Sequence, residues 1–245
     1  MSQSRVPSWP RKAARHLGAG VVLGGALLLA AGGCVDETSF LITQNQVPQA
    51  GCKVDTNESV YRAIGTLDVS AGKGYVLFPL IRNDLQASKG VDNQPERNAL
   101  HLREFQVELD LGEIPANFPA ELLSFTKPTS GVMQPGERRA SSVEAIPEKL
   151  VKLLSIPPNV KPIVTAKVRV VADHGVTKMK SAAFFYPIQL CNGCLVVKAE
   201  NCPTGEALQS APSNTCGLPQ DESTTCCNAP GRGLVCLSDA AKSGG

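Results

Sequence analysis

The chain has 245 residues, enough to bury a sizeable core, with 42% hydrophobic but only 4% aromatic side chains. Its formal net charge of +2 leaves no overall field that would draw it to nucleic acid or to an anionic membrane surface. Seven of the nine cysteines fall among the 55 residues from Cys191 onward, a local density above the roughly 8–10% that marks a disulfide scaffold, and point away from a reducing compartment.

At the N-terminus, Arg5, Arg11, Lys12 and Arg15 precede an uncharged run from Leu17 to Gly33 rich in Leu, Val, Ala and Gly. A basic head, a short apolar segment and a small-residue exit form the pattern of a secretory signal peptide. The run falls short of a comfortable membrane-spanning helix. The exit reads Leu29-Ala30-Ala31-Gly32-Gly33-Cys34. It resembles the lipobox of bacterial lipoproteins, in which small residues precede a cysteine that receives a diacylglycerol. Ala31 stands where the usual pattern has Leu, which keeps cleavage by the general signal peptidase as the alternative.

The resemblance implies removal of residues 1–33, lipidation of Cys34 and a membrane anchor. Val35, in place of the aspartate that favours inner-membrane retention, implies the outer membrane. Processing would leave 20 cations against 22 carboxylates, a net charge of −2, and would remove Trp9, the only tryptophan.

Residues 35–52 are polar and read as a tether, with a short strand at Phe40–Ile42. Beyond them Phe105, Val107, Leu109 and Leu111 alternate with polar residues, the mark of an antiparallel strand with one face on a core. Val164–Val170 repeats the pattern, and Val60–Val69, Tyr75–Ile81 and Lys178–Leu190 are further strands. Turn signals at 70–74, 89–93, 134–136 and 173–175 separate these runs. One helix is expected at Pro147–Leu154, with Leu150, Leu153 and Leu154 on a shared face and Pro157-Pro158 beyond its end.

The sequence therefore predicts an all-β fold. Residues 1–33 are the lipoprotein signal peptide and 34–52 a lipidated tether. Residues 53–190 form an immunoglobulin-like or fibronectin-like β-sandwich, and 191–245 a cysteine-rich, disulfide-stapled tail.

With Cys34 lipidated, Cys52, Cys191, Cys194, Cys202, Cys216, Cys226, Cys227 and Cys236 remain for four bridges. Seven of these lie in the tail, an odd number, so complete pairing requires one bridge from Cys52 into the tail. Adjacent Cys226 and Cys227 should bond to different partners. Cys191-Asn-Gly-Cys194 has the spacing of a redox pair or half a zinc site. However, a β-like run follows it rather than a helix, and no histidine lies in the tail. His101 and His174 lack sequence partners that would make a metal site.

The expected function is a membrane-anchored, non-catalytic binding or structural module of the cell envelope. Its partners would be the membrane, through Cys34, and an envelope protein or glycan, without nucleic acid and without a cofactor. The alternatives are an exported hydrolase using His101 or His174, or a thiol or metal protein using Cys191 and Cys194.

Overall fold

The computed structural model describes residues 39–49, 51–56, 59–88, 96–115 and 117–243, all within one compact unit, Asp36–Gly245. Cys34 and the expected signal peptide lie outside the described residues. Strand makes up 49% of the described residues and the longest described helix has six residues, so the described body is mostly β.

The first strand already corrects the expected tether. Phe40–Gln46 (β1) is an inner strand, not a linker, and Phe40 is fully buried. Its polar end hid it in the sequence. Asn45 and Gln46 are also buried, and bonds to Phe78 make that burial tolerable: Asn45 Oδ1 accepts from the Phe78 N–H (2.7 Å), and the Gln46 N–H donates to the Phe78 carbonyl (2.8 Å).

The run 60–69 divides into Tyr61–Arg62 (β2) and Gly65–Asp68 (β3), and the run 75–81 into Tyr75–Leu77 (β4) and Pro79–Asn83 (β5). Leu100–Asp110 (β6) carries the predicted alternation, with Leu100, Leu102, Phe105 and Val107 inward. A one-turn helix, Ala120–Leu123 (α1), leads to Ser124–Met133 (β7), which the sequence reading missed. Pro128 and Gly131 sit inside it, tolerable because β7 is an edge strand.

Arg138–Ala140 (β8) and Val143–Ile146 (β9) follow, then the expected helix, shortened to Glu148–Val151 (α2). Leu150 and Val151 are buried, whereas Leu153 is 55% exposed and does not share their face. One turn is too short to continue the 3.6-residue stripe to Leu153. Ile163–His174 (β10), Thr177–Lys180 (β11) and Phe184–Cys191 (β12) complete the main sheet.

The two larger sheets are curled. One has the order β2-β1-β5-β8 and the other β3-β12-β10-β6-β7, with β11 alongside the end of β10. β4 and β9 pair separately. Phe40, Ile42 and Ile81 from the first sheet join Leu67, Phe105, Val168 and Ile188 from the second in a single hydrophobic cluster. The β12–β3 pairing is parallel, so the main sheet is mixed.

The C-terminal region holds Val196–Asn201 (β13), Gly205–Ser210 (α3), Thr224–Ala229 (β14), Gly233–Cys236 (β15) and Asp239–Ser243 (α4). It does not begin at a clean boundary after residue 190, because β12 runs through Cys191. It also docks on the body: the Asp68 N–H donates to the Pro219 carbonyl (3.0 Å), and the Asp221 N–H to the Thr66 carbonyl (2.8 Å).

Candidate functional site

The eight cysteines from Cys52 onward form four disulfides, Cys52–Cys216, Cys191–Cys194, Cys202–Cys227 and Cys226–Cys236. The first joins residues 164 apart with Cα atoms 4.7 Å from each other, and so closes a loop around the body. Adjacent Cys226 and Cys227 bond to different partners. Both are fully buried and form the small interior of the C-terminal sheet in place of apolar side chains. Four disulfides fit an extracytoplasmic compartment, and no described helix is long and apolar enough to cross a membrane.

The Cys191–Cys194 turn is organised by a residue that the sequence reading did not single out. Asp68, at the end of β3, is fully buried. Its Oδ1 accepts from the N–H groups of Ser70 (3.0 Å) and Gly193 (2.8 Å), and its Oδ2 from those of Leu195 (2.8 Å) and Val196 (2.9 Å). Gly193 supplies the left-handed φ of +77° that aims these donors inward. Burial alone would push the Asp68 carboxyl up, but the four donors outweigh it and hold the carboxyl below the ordinary aspartate range.

This anion and both sulfurs lie within 4.8 Å of one another. A charged carboxylate there disfavours a thiolate, the reverse of what a reactive dithiol needs, and the chain continues into β13 rather than a helix. With the sulfurs bonded to each other and the carboxylate saturated, the trio offers no free thiolate to a metal.

A second cluster pins the C-terminal segment to the core. Tyr75 is fully buried, and its hydroxyl donates to Asp221 (3.0 and 3.1 Å to the two oxygens) beside the Tyr186 hydroxyl at 3.4 Å. A Cβ at Gly65 would collide with the Tyr75 ring and hydroxyl, so only glycine lets this ring lie against β3. Burial raises the Asp221 carboxyl above its ordinary value despite the Thr66 N–H and the nearby Arg62, whose Nε is 3.6 Å away. Burial, with the adjacent Asp221, pushes the Tyr75 hydroxyl up as well. Gln220 reinforces the dock by exchanging both of its amide bonds with the Val76 backbone (2.8 and 2.9 Å).

The two histidines fall on adjacent strands but on opposite faces. His101 pairs across from Asp173, and His174 across from Leu100. His101 is exposed, and His174 Nε2 lies 2.9 Å from Asn98 Oδ1. The structure does not bring them together.

It does gather aromatic surface. Along β12, Tyr186, Ile188 and Leu190 point inward, which forces Phe185 outward, where it is 61% exposed. Tyr61 on β2 is 57% exposed. These two rings and Phe184 line a depression of about 130 Å³ together with Gln44, Asn45 and Arg62. On its other side Phe185 borders a second depression of about 240 Å³ that contains Glu108, Asp110, Thr165 and Lys167. The signal was legible in the register: Phe184-Phe185-Tyr186 is uninterrupted, so one large aromatic has to occupy an outward position.

Comparison with known proteins finds no family model, no curated protein and no solved structure that matches the chain.

Proposed function

We propose that the protein is a lipid-anchored, non-catalytic binding or structural module of the bacterial cell envelope, held at the outer membrane through Cys34. The lipobox-like run 29–34 and the four disulfides support the location. Two curled sheets around one core support reading the body as an immunoglobulin-like or fibronectin-like sandwich. The observation that carries the binding role is the aromatic shelf. Tyr61 and Phe185 are large rings left in water on ordered strands, beside amide and charged side chains suited to an envelope protein or a glycan.

Crosslinking on intact cells from a photoreactive group placed beside Phe185 tests this. A single dominant partner is expected, lost in a Tyr61→Ala, Phe185→Ala double variant that keeps its disulfides. Unchanged capture by the double variant would overturn the shelf as the binding surface. The anchor is tested separately by the mass and detergent partitioning of the mature N-terminus, expected at an acylated Cys34.

The closeness of Asp68, Cys191 and Cys194 favours one rival, an extracytoplasmic thiol or metal protein. Titration of free thiols on the native protein separates the two readings: the staple gives none.

A further inference from the structure

The turn Cys191-Asn192-Gly193-Cys194 contains the only Asn-Gly dipeptide in the chain. Such a pair carries a reaction of its own. Hydroxide takes the proton from the glycine N–H, and the nitrogen attacks the asparagine side-chain carbon, with no Cβ on the glycine to hinder its approach. The new C–N bond closes a succinimide ring. The bond from that carbon to the side-chain nitrogen breaks, and ammonia leaves with a proton from water. Water then opens the ring at either carbonyl, which gives aspartate, or isoaspartate with the main chain rerouted through the side chain. In sum, one water is consumed and one ammonia is released.

The fold holds both reacting groups. The Gly193 N–H donates to Asp68 Oδ1 at 2.8 Å, and Asn192 Nδ2 donates to the Ile156 carbonyl at 2.8 Å. Gly193 is exposed, so hydroxide reaches the turn and burial is not what protects it. Bonding and charge do. An amide anion at Gly193 would form beside the Asp68 carboxylate, a like-charge contact that disfavours loss of the proton. Burial opposes the charge on Asp68, but its four N–H donors hold the carboxyl below the ordinary aspartate range. It is therefore ionised at the neutral and alkaline pH where the reaction runs.

We infer that Asn192 is a latent deamidation site, locked while the Asp68 cage and the Cys191–Cys194 bridge are closed and converted once they open. Conversion is one-way. In aspartate an oxygen replaces the donor that faces the Ile156 carbonyl, acceptor against acceptor. Isoaspartate adds a backbone atom to the short span that Cys191–Cys194 closes. Neither product restores the turn, so a chain that has once been reduced and unfolded keeps a permanent mark there. The site stands independently of the lipid anchor and of the aromatic shelf.

The purified protein with its disulfides intact is incubated at mildly alkaline pH beside the same protein reduced with a dithiol and unfolded in guanidinium. The tryptic peptide 181–198 reports amide, aspartate and isoaspartate by mass and retention. Conversion is expected to be at least about tenfold slower in the folded protein, the factor that a hydrogen bond to a charged group supplies. Hydrogen exchange at the Gly193 amide begins with loss of the same proton and should be slowed to a similar degree. Asp68→Asn, in protein that still forms all four disulfides, should convert several-fold faster than the parent. Asn192→Asp should unfold at a lower midpoint than the parent, with a gap that closes as the new carboxyl protonates toward low pH.

Equal conversion in folded and unfolded protein, or free exchange of the Gly193 amide, overturns the lock. Unchanged conversion in folded Asp68→Asn overturns it as well; should that variant not fold, exchange at Gly193 in the parent decides alone. An Asn192→Asp protein as stable as the parent overturns the one-way mark.

Discussion

Replacing Asp68 by Asn tests the account of the Cys191–Cys194 turn. In the native protein four backbone N–H groups converge on a buried carboxylate at 2.8–3.0 Å. An asparagine carbonyl oxygen placed toward Ser70 and Gly193 keeps two of these bonds. Its NH2 group then faces the N–H groups of Leu195 and Val196, donor against donor. Each stranded buried donor costs about 1–3 kcal/mol. Leu195 and Val196 are only half-buried, so water relieves part of the loss, and a destabilisation of about 2–4 kcal/mol is expected at neutral pH.

The pH dependence supplies a second signature. The Asp68 carboxyl is held below its ordinary value in the folded state, so its contribution is complete above about pH 4 and is lost as pH falls through the lower folded value. The variant has no such titration, and the gap between the two proteins should narrow from pH 5 toward pH 2. Guanidinium unfolding with disulfides intact, followed by tyrosine fluorescence, measures both quantities. A loss below about 1 kcal/mol at pH 7, or a gap that does not change with pH, would refute the argument.

Removing the long bridge with Cys52→Ala and Cys216→Ala should cost about 2–5 kcal/mol in urea unfolding, since loop-closure entropy across 164 residues amounts to about 5 kcal/mol. A cost under about 1 kcal/mol would mean that the Pro219–Asp221 dock alone holds the C-terminal region. Asp221→Asn should behave in the opposite sense to Asp68→Asn. The raised folded carboxyl of Asp221 stabilises below its ordinary value and loses that contribution as pH rises, so the variant should gain on the parent between pH 4 and pH 8 in unfolding midpoints. His101→Ala should change stability by less than about 0.5 kcal/mol, and His174→Ala by about 1 kcal/mol through the lost Asn98 contact, both read by thermal unfolding.

How much of this was legible depended on whether the deciding partner was near in sequence. The alternation in β6 and β10 is local, and both strands lie where it places them. β1 was read too short because Asn45 and Gln46 look solvent-facing, and only Phe78, more than thirty residues away, makes their burial tolerable. β7 escaped because Pro128 and Gly131 argue against a strand unless the strand is known to be an edge, which is a property of the sheet and not of the segment. Cysteine parity pointed Cys52 toward the tail but could not choose among seven candidates. Asp68 was not singled out in the sequence, since three of its four donors lie about 125 residues downstream.

The two edges of the main sheet show what the C-terminal region does for the body. An open edge presents unpaired N–H and C=O groups that invite another chain. β7 protects its edge from within, through Pro128 and through Gly131, against which the Arg139 guanidinium packs. β3 is four residues long and has no such device. Its free side is met instead by Pro219–Asp221, which exchanges backbone bonds with Thr66 and Asp68, while the Gln220 side chain bonds the Val76 backbone. That cover has too few apolar residues to stay by burial alone. Asp221 is even held with a left-handed φ of 65°, uncommon for a residue other than glycine. The Cys52–Cys216 bridge fixes one side of this segment, and the Asp68 cage with Cys191–Cys194 fixes the chain where it leaves β12. The disulfides therefore brace the lid of an exposed sheet edge against the body, which is why the same residues that look like a separate cysteine-rich tail in sequence are structurally part of the β-sheet body they follow.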